Sequence, residues 1–65
     1  NAPAAEQAFR EVVTLDPQRA EAWPMLVQLA QINRGPEAAR IVLQEALDRL
    51  PDDPNLLQLS QQLSP

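Results

Sequence analysis

The sequence predicts an all-α fold of four antiparallel helices within a single domain of 65 residues. Ten Ala and ten Leu stand beside one Gly, one Phe and one Trp, and β-branched residues are few, which favours helices over strands. Apolar residues recur at the i, i+3, i+4 and i+7 spacing of one helical face. Prolines separate these amphipathic stretches at positions where helices begin or end.

The first helix is predicted over residues 3–14. Pro3 suits the first turn of a helix, and Pro17 follows the predicted end. The apolar residues fall on one helical face: Ala5, Ala8, Phe9, Val12 and Val13. This helix therefore has one side to bury and one side to expose.

The second helix is predicted to begin between Ala20 and Ala22 and to end near Arg34. Pro24 has to stand in its first turn, because an interior proline costs about 3 kcal/mol. Gly35 follows as a stop that is free to take the left-handed backbone conformation. Nearly all other residues of this helix are apolar, so we expect it to have neighbours on two sides.

The third helix is predicted from Pro36 to about Leu50. Because only Gly35 separates it from the second helix, the two helices are expected to be antiparallel neighbours. Glu45 and Arg49 have the spacing of a favourable ion pair on the outer surface. The apolar face comprises Ala39, Val42, Leu43, Ala46 and Leu47.

The fourth helix is predicted over residues 54–63. Asp53 precedes Pro54 and is a suitable N-cap. Leucines and glutamines of this helix occupy opposite sides: Leu56, Leu59 and Leu63 against Gln58, Gln61 and Gln62. The apolar side is expected to pack on the preceding helices.

The composition excludes most chemistry. Cys, His, Lys and Tyr are absent, which removes thiolate, imidazole, amine and phenol groups, so we expect no enzyme activity, no disulfide, no metal site and no cofactor. The acidic residues near position 50 lack the oxygen-rich, Gly-bearing loop of a calcium site. A formal net charge of −4 disfavours nucleic acid and anionic membranes, and no apolar run is long enough to insert into a membrane.

An internal repeat appears when the chain is shifted by thirty-four residues. The shift aligns Ala5 with Ala39, Phe9 with Leu43, Glu11 with Glu45 and Pro17 with Pro51. A helix pair repeating every thirty-four residues is the signature of the tetratricopeptide family, which this chain resembles. The matching residues within 20–53, one complete unit, are Trp23, Leu26, Ala39, Ala46 and Pro51, with Leu43 at the family's Phe. Val27 replaces the family's Gly, and Ala30 replaces its Tyr.

The resemblance implies a right-handed solenoid fragment. Residues 3–14 correspond to the second helix of a preceding repeat, and residues 54–63 to the first helix of a following repeat or to a cap. The alternative fold is a closed four-helix bundle, in which the fourth helix packs on the first. A solenoid instead predicts that the fourth helix touches only the second and third.

The resemblance also implies a function, which is non-catalytic protein–protein interaction through a concave groove lined by the first helices of successive repeats. The predicted groove comprises Glu21, Pro24, Gln28, Gln31, Asn55, Gln58 and Gln62. Because it carries a carboxylate and amides, a neutral or basic protein segment is the expected partner. The same polar residues are also ordinary surface residues of a helix.

Two other functions stay open. The apolar face of the first helix, Phe9, Val12 and Val13, lacks the helix that would cover it in a repeat, which favours self-association into a homodimer. The module also fits an appendage of an enzyme whose catalytic domain lies elsewhere. We expect a segment of a longer protein, since the chain starts at Asn1 without Met, and a bacterial source, since Lys is absent while Ala, Arg and Pro are abundant. The compartment, bacterial cytoplasm or periplasm, stays open.

Overall fold

Four α-helices make up most of residues 1–63, the part of the chain that the computed structural model describes. They are α1 (Ala2–Leu15), α2 (Ala22–Arg34), α3 (Pro36–Arg49) and α4 (Pro54–Leu63). The described residues contain no β-strand. The prediction of an all-α protein with four helices is confirmed, and each helix begins and ends within two residues of its predicted bounds.

Gly35 joins α2 to α3 as a single residue. Its φ of 97° is positive, which favours glycine, but its ψ of 177° is extended, so Gly35 does not adopt the left-handed helical conformation that was expected. The Gly35 N–H donates to the Gln31 carbonyl at 2.9 Å, and the Gly35 carbonyl accepts from the Ala39 N–H at 3.2 Å. One residue therefore ends α2, begins α3 and reverses the chain.

The other helix ends also follow the predicted capping chemistry. Asp53 Oδ1 accepts from the backbone N–H groups of Asn55 at 2.9 Å and Leu56 at 3.2 Å, so Asp53 caps α4. Pro24 is the third residue of α2, where a helix needs no internal N–H donor. The indole Nε1 of Trp23 donates to the Pro17 carbonyl at 2.9 Å, which ties the α1–α2 loop to the core.

The core is centred on α2, which supplies five of its eleven buried residues. Trp23 is 2% exposed, so its indole packs within the core. Three alanines, Ala30, Ala39 and Ala46, have no exposed surface. Such small side chains in a fully buried position let neighbouring helices approach closely, since the interior is close-packed. The rest of the core is Val13, Ala22, Leu26, Val27, Val42, Leu43 and Leu56.

The helices pack as a flat, open stack. α2 contacts all three other helices and α4 contacts α3 and α2, whereas α1 and α4 do not touch. The molecule measures 29 × 27 × 14 Å along its principal axes. The described residues therefore do not form a closed bundle in which α4 packs on α1.

Ion pairs hold α1 against its neighbours. Arg10 Nη1 of α1 lies 2.6 Å from Glu45 Oε2 of α3, so the expected pairing of Glu45 with Arg49 is wrong. The spacing along α3 was suitable, but Glu45 is half-buried on the side that faces α1 rather than fully exposed on the outer surface. Both side chains remain more than a third exposed, and such a pair stabilises the fold by about 1 kcal/mol at most.

Glu6 joins the beginning of α1 to the end of α2. Its Oε1 accepts from Asn33 Nδ2 at 2.9 Å, and its Oε2 pairs with Arg34 Nη2. The hydrogen bond from Asn33 is the main cause that lowers the pKa of Glu6 below the usual 4.5, with a further contribution from Arg34. The Asn33 amide also donates to the Ala2 carbonyl at 3.1 Å. The carboxylate thus fixes how α1 lies on α2.

Candidate functional site

An open pocket lies between α2 and α4, with a volume of about 420 Å³. We call it the α2–α4 pocket. Five of the seven residues of the predicted groove line it, together with one leucine: Glu21, Pro24, Asn55, Gln58, Gln62 and Leu59. The structure therefore places most of the predicted groove residues around one concave surface.

The topology explains why these residues meet. α2 and α4 are each antiparallel to α3, so they run in the same direction, and they contact each other. Residues thirty-four apart consequently lie at equivalent heights on the two helices. Pro24 and Gln58 form one such pair, and Glu21 and Asn55 form another.

Two predicted groove residues lie outside the pocket. Gln28 and Gln31 are exposed on α2, but neither lines the cavity. Leu59 was assigned to the apolar side of α4, and the structure gives it a double role, because it packs against the core and also lines the pocket. Its spacing, four residues after Asn55 and three before Gln62, is the sequence feature that indicates this second role, because such residues are neighbours on a helix.

Among the residues 1–63 that line the pocket, only Glu21 has an ionisable side chain. Its side chain is 80% exposed, and its Oε1 lies 3.5 Å from Arg19 Nη1. Arg19 Nε also lies 3.8 Å from Asp16 Oδ2, so the arginine is shared between two carboxylates. The pocket therefore has acceptors in its carboxylate, donors and acceptors in its amides, and apolar surface in Leu59 and Pro24.

The excess negative charge is concentrated at the end of the molecule where the pocket begins. Segments 16–21 and 48–53 hold five acidic residues and two arginines, which accounts for three of the four excess negative charges. Helix dipoles do not change this sign, because the N-termini of α2 and α4 and the C-termini of α1 and α3 lie at the same end and oppose one another. The carboxylates therefore determine the sign of the charge at this end of the molecule.

The predicted self-association face of α1 is partly covered. Val13 is buried in the core at 3% exposure, and Phe9 and Val12 are half-buried against the core. Val13 is therefore not available to a second copy in this conformation. Ala8, on the same helix, is exposed, whereas its equivalent thirty-four residues later, Val42, is buried.

Two of the three aspartates near position 50, Asp48 and Asp53, have local structural partners. Asp48 Oδ1 accepts from Gln44 Nε2 at 3.1 Å, and Asp53 caps α4. Across residues 1–63 no group of three or more His, Cys, Asp or Glu side chains is arranged to hold a metal ion. None of the helices described is both long enough and apolar enough to cross a membrane.

Comparison of the chain with protein-family models, with curated proteins and with solved structures found no match.

Proposed function

We propose that the chain is a tetratricopeptide-like, non-catalytic module that binds a segment of a partner protein along the surface shared by α2 and α4. The observation that carries this proposal is the α2–α4 pocket, because residues chosen from the thirty-four-residue repeat line one cavity. The module would belong to a longer bacterial protein. In one alternative, that protein is an enzyme whose catalytic domain lies outside this chain.

The packing order supports the tetratricopeptide-like arrangement. In a helix-pair solenoid each helix packs on the next one along the chain, and alternate helices line one surface. Here α1 packs on α2, α2 on α3 and α3 on α4, and the alternate helices α2 and α4 are in contact. Ala39 and Ala46, which match the family's small residues, are fully buried.

The chemistry of the pocket supports a peptide as the ligand. Amide side chains of Asn55, Gln58 and Gln62 donate and accept, as a peptide backbone does. Each such hydrogen bond contributes only about 0.5 to 1.5 kcal/mol after exchange with water. A single module therefore binds weakly, and further repeats would raise the affinity by adding contacts along the same surface.

A displayed library of 12-residue peptides tests the proposal, with the selected peptide titrated by calorimetry. We expect Gln58→Arg to abolish measurable binding, because a long cationic side chain fills and alters the pocket. The matched control is Gln44→Arg, the same substitution on the exposed side of α3, where Asp48 can accept from the new arginine. Binding that survives Gln58→Arg but is lost in Gln44→Arg would contradict the proposal, and so would a library without binders.

Self-association is the second candidate, and it is favoured by the exposure of α1. Ala8 is exposed and Val12 half-buried, whereas Val42 and Ala46, thirty-four residues later, are 2% and 0% exposed. A homodimer that covers α1 should dissociate on Ala8→Glu without loss of helicity. Sedimentation of the unmodified protein as a monomer at high concentration would contradict this candidate.

A further inference from the structure

We infer that the α2–α4 pocket takes an arginine side chain of the partner segment. This inference rests on the proposed function and names the group that the pocket recognises. Three features support the inference. They are the carboxylate of Glu21, the apolar surface of Leu59 and Pro24, and an arginine of the same chain, Arg19, that lies near this carboxylate.

The charge of the site selects a cation. Glu21 has the one ionisable side chain among the described residues that line the pocket, and the adjoining segments 16–21 and 48–53 are acidic overall. The dipoles of the four helices oppose one another at this end, so the carboxylates determine the sign of the potential. An anionic side chain would meet repulsion at the same place.

The lining selects a cation with a long apolar stem. Leu59 and Pro24 offer apolar surface to methylene groups, while the amides of Asn55, Gln58 and Gln62 offer carbonyl oxygens to several N–H donors. Guanidinium presents five donors in one plane and is weakly hydrated, so it satisfies several acceptors at once. The compact ammonium of lysine has three donors and a stronger hydration shell, which makes it the poorer ligand.

Arg19 of the same chain already forms a weak ion pair with the Glu21 carboxylate. Its Nη1 lies 3.5 Å from Glu21 Oε1, too far for a strong hydrogen bond, and both side chains are more than half exposed. An incoming arginine would therefore compete with Arg19 for Glu21. Removal of Arg19 should strengthen binding of the ligand, which is the opposite of what removal of a contact residue would do.

The probes are two tripeptides, N-acetyl-Ala-Arg-Ala-amide and the same peptide with Gln in place of Arg. Each is titrated at low ionic strength into ¹⁵N-labelled protein while the side-chain amide signals of Asn55, Gln58 and Gln62 are followed. We expect saturable shifts with the arginine peptide and about fivefold weaker binding of the glutamine peptide, the upper range for an exposed ion pair.

Four single substitutions test the roles of Glu21 as the ligand's carboxylate partner and of Arg19 as its competitor. Glu21→Gln should remove the preference for arginine, whereas Glu37→Gln, with the same change of charge at the exposed start of α3, should retain it. Arg19→Gln should tighten binding about two- to fivefold, and Arg49→Gln, which removes the same charge at the same end, should have a smaller effect.

The outcomes separate this inference from the proposed function. Equal binding of the two tripeptides, equal effects of Glu21→Gln and Glu37→Gln, or no shift of the three amide signals would each overturn the arginine site. A library-selected peptide that still requires Gln58 would then leave the proposed function standing. Failure of both the tripeptides and the selected peptide to shift these signals would overturn both.

Discussion

Enlarging Ala39 should destabilise the protein far more than the same change at Ala5, its equivalent thirty-four residues earlier. Ala39 has no exposed surface and lies on α3 among the side chains buried against α2, whereas Ala5 on α1 is half-buried. Alanine and leucine are both strong helix formers, so Ala→Leu changes packing with little effect on helix propensity. The pair of variants therefore measures the helix contact rather than the helix itself.

The magnitude follows from the burial. Ala39→Leu adds three carbon atoms to a site without free surface, and such overpacking costs roughly 1 to 3 kcal/mol. In a domain of this size each kcal/mol lowers Tm by about 4 to 8 °C. Ala5→Leu should cost less than about 1 kcal/mol, because part of the new side chain can extend into solvent.

Thermal unfolding followed by circular dichroism is the assay, with urea unfolding as a check that the m-value stays constant. Ala8→Leu, at an exposed position of α1, serves as the surface control and should leave Tm nearly unchanged. Equal losses of Tm for Ala39→Leu and Ala5→Leu would refute the close approach of α2 and α3 at Ala39.

Three further predictions concern α4, the α2–α3 turn and α1. Leu56→Ala, at the fully buried residue of α4, should lower the free energy of urea unfolding by about 2 to 5 kcal/mol. Leu57→Ala, at the half-exposed neighbour, should lower it by less than about 1 kcal/mol, and equal losses would contradict the docking of α4. Gly35→Ala should lower stability by about 1 to 3 kcal/mol through backbone strain alone, because a positive φ with an extended ψ is essentially restricted to glycine and nothing lies within 4 Å of the added Cβ. An unchanged Tm would contradict the positive φ. The lowered pKa of Glu6 contributes stability that is present above pH 4.5 and is lost as the pH falls through the folded-state pKa. Glu6→Gln should therefore weaken the loss of unfolding free energy at acidic pH. An unchanged acid dependence would contradict the role of the carboxylate.

The helix boundaries could be predicted from the sequence because local chemistry determines them. Gly35 tolerates positive φ, Asp53 caps α4, and Pro24 fits only a first turn, and each of these effects depends on a few neighbouring residues. Much of the pocket could also be predicted, since a shift of thirty-four residues identifies equivalent positions on parallel helices. Periodicity alone did not indicate that Gln28 and Gln31 lie beyond its edge.

The contacts between distant helices could not be predicted in this way. Glu6 bonds to Asn33 and Arg34, and Arg10 pairs with Glu45, across separations of 27 to 35 residues. Such partners depend on how the helices stack rather than on spacing within one helix, and the i, i+4 pattern pointed to a different partner for Glu45. Val13 lies on the apolar face predicted for α1, but its nearly complete burial, beside the half-burial of Phe9 and Val12, depends on the same stacking.

The proposed function requires that the surface shared by α2 and α4 bind a partner segment. Side-chain amide signals of ¹⁵N-labelled protein, followed during titration with a library-selected 12-residue peptide, test it most directly. We expect saturable shifts at Asn55, Gln58 and Gln62, with Gln44, which is exposed on α3 and does not line the pocket, unaffected. Shifts at Gln44 with the three pocket amides unchanged would contradict it.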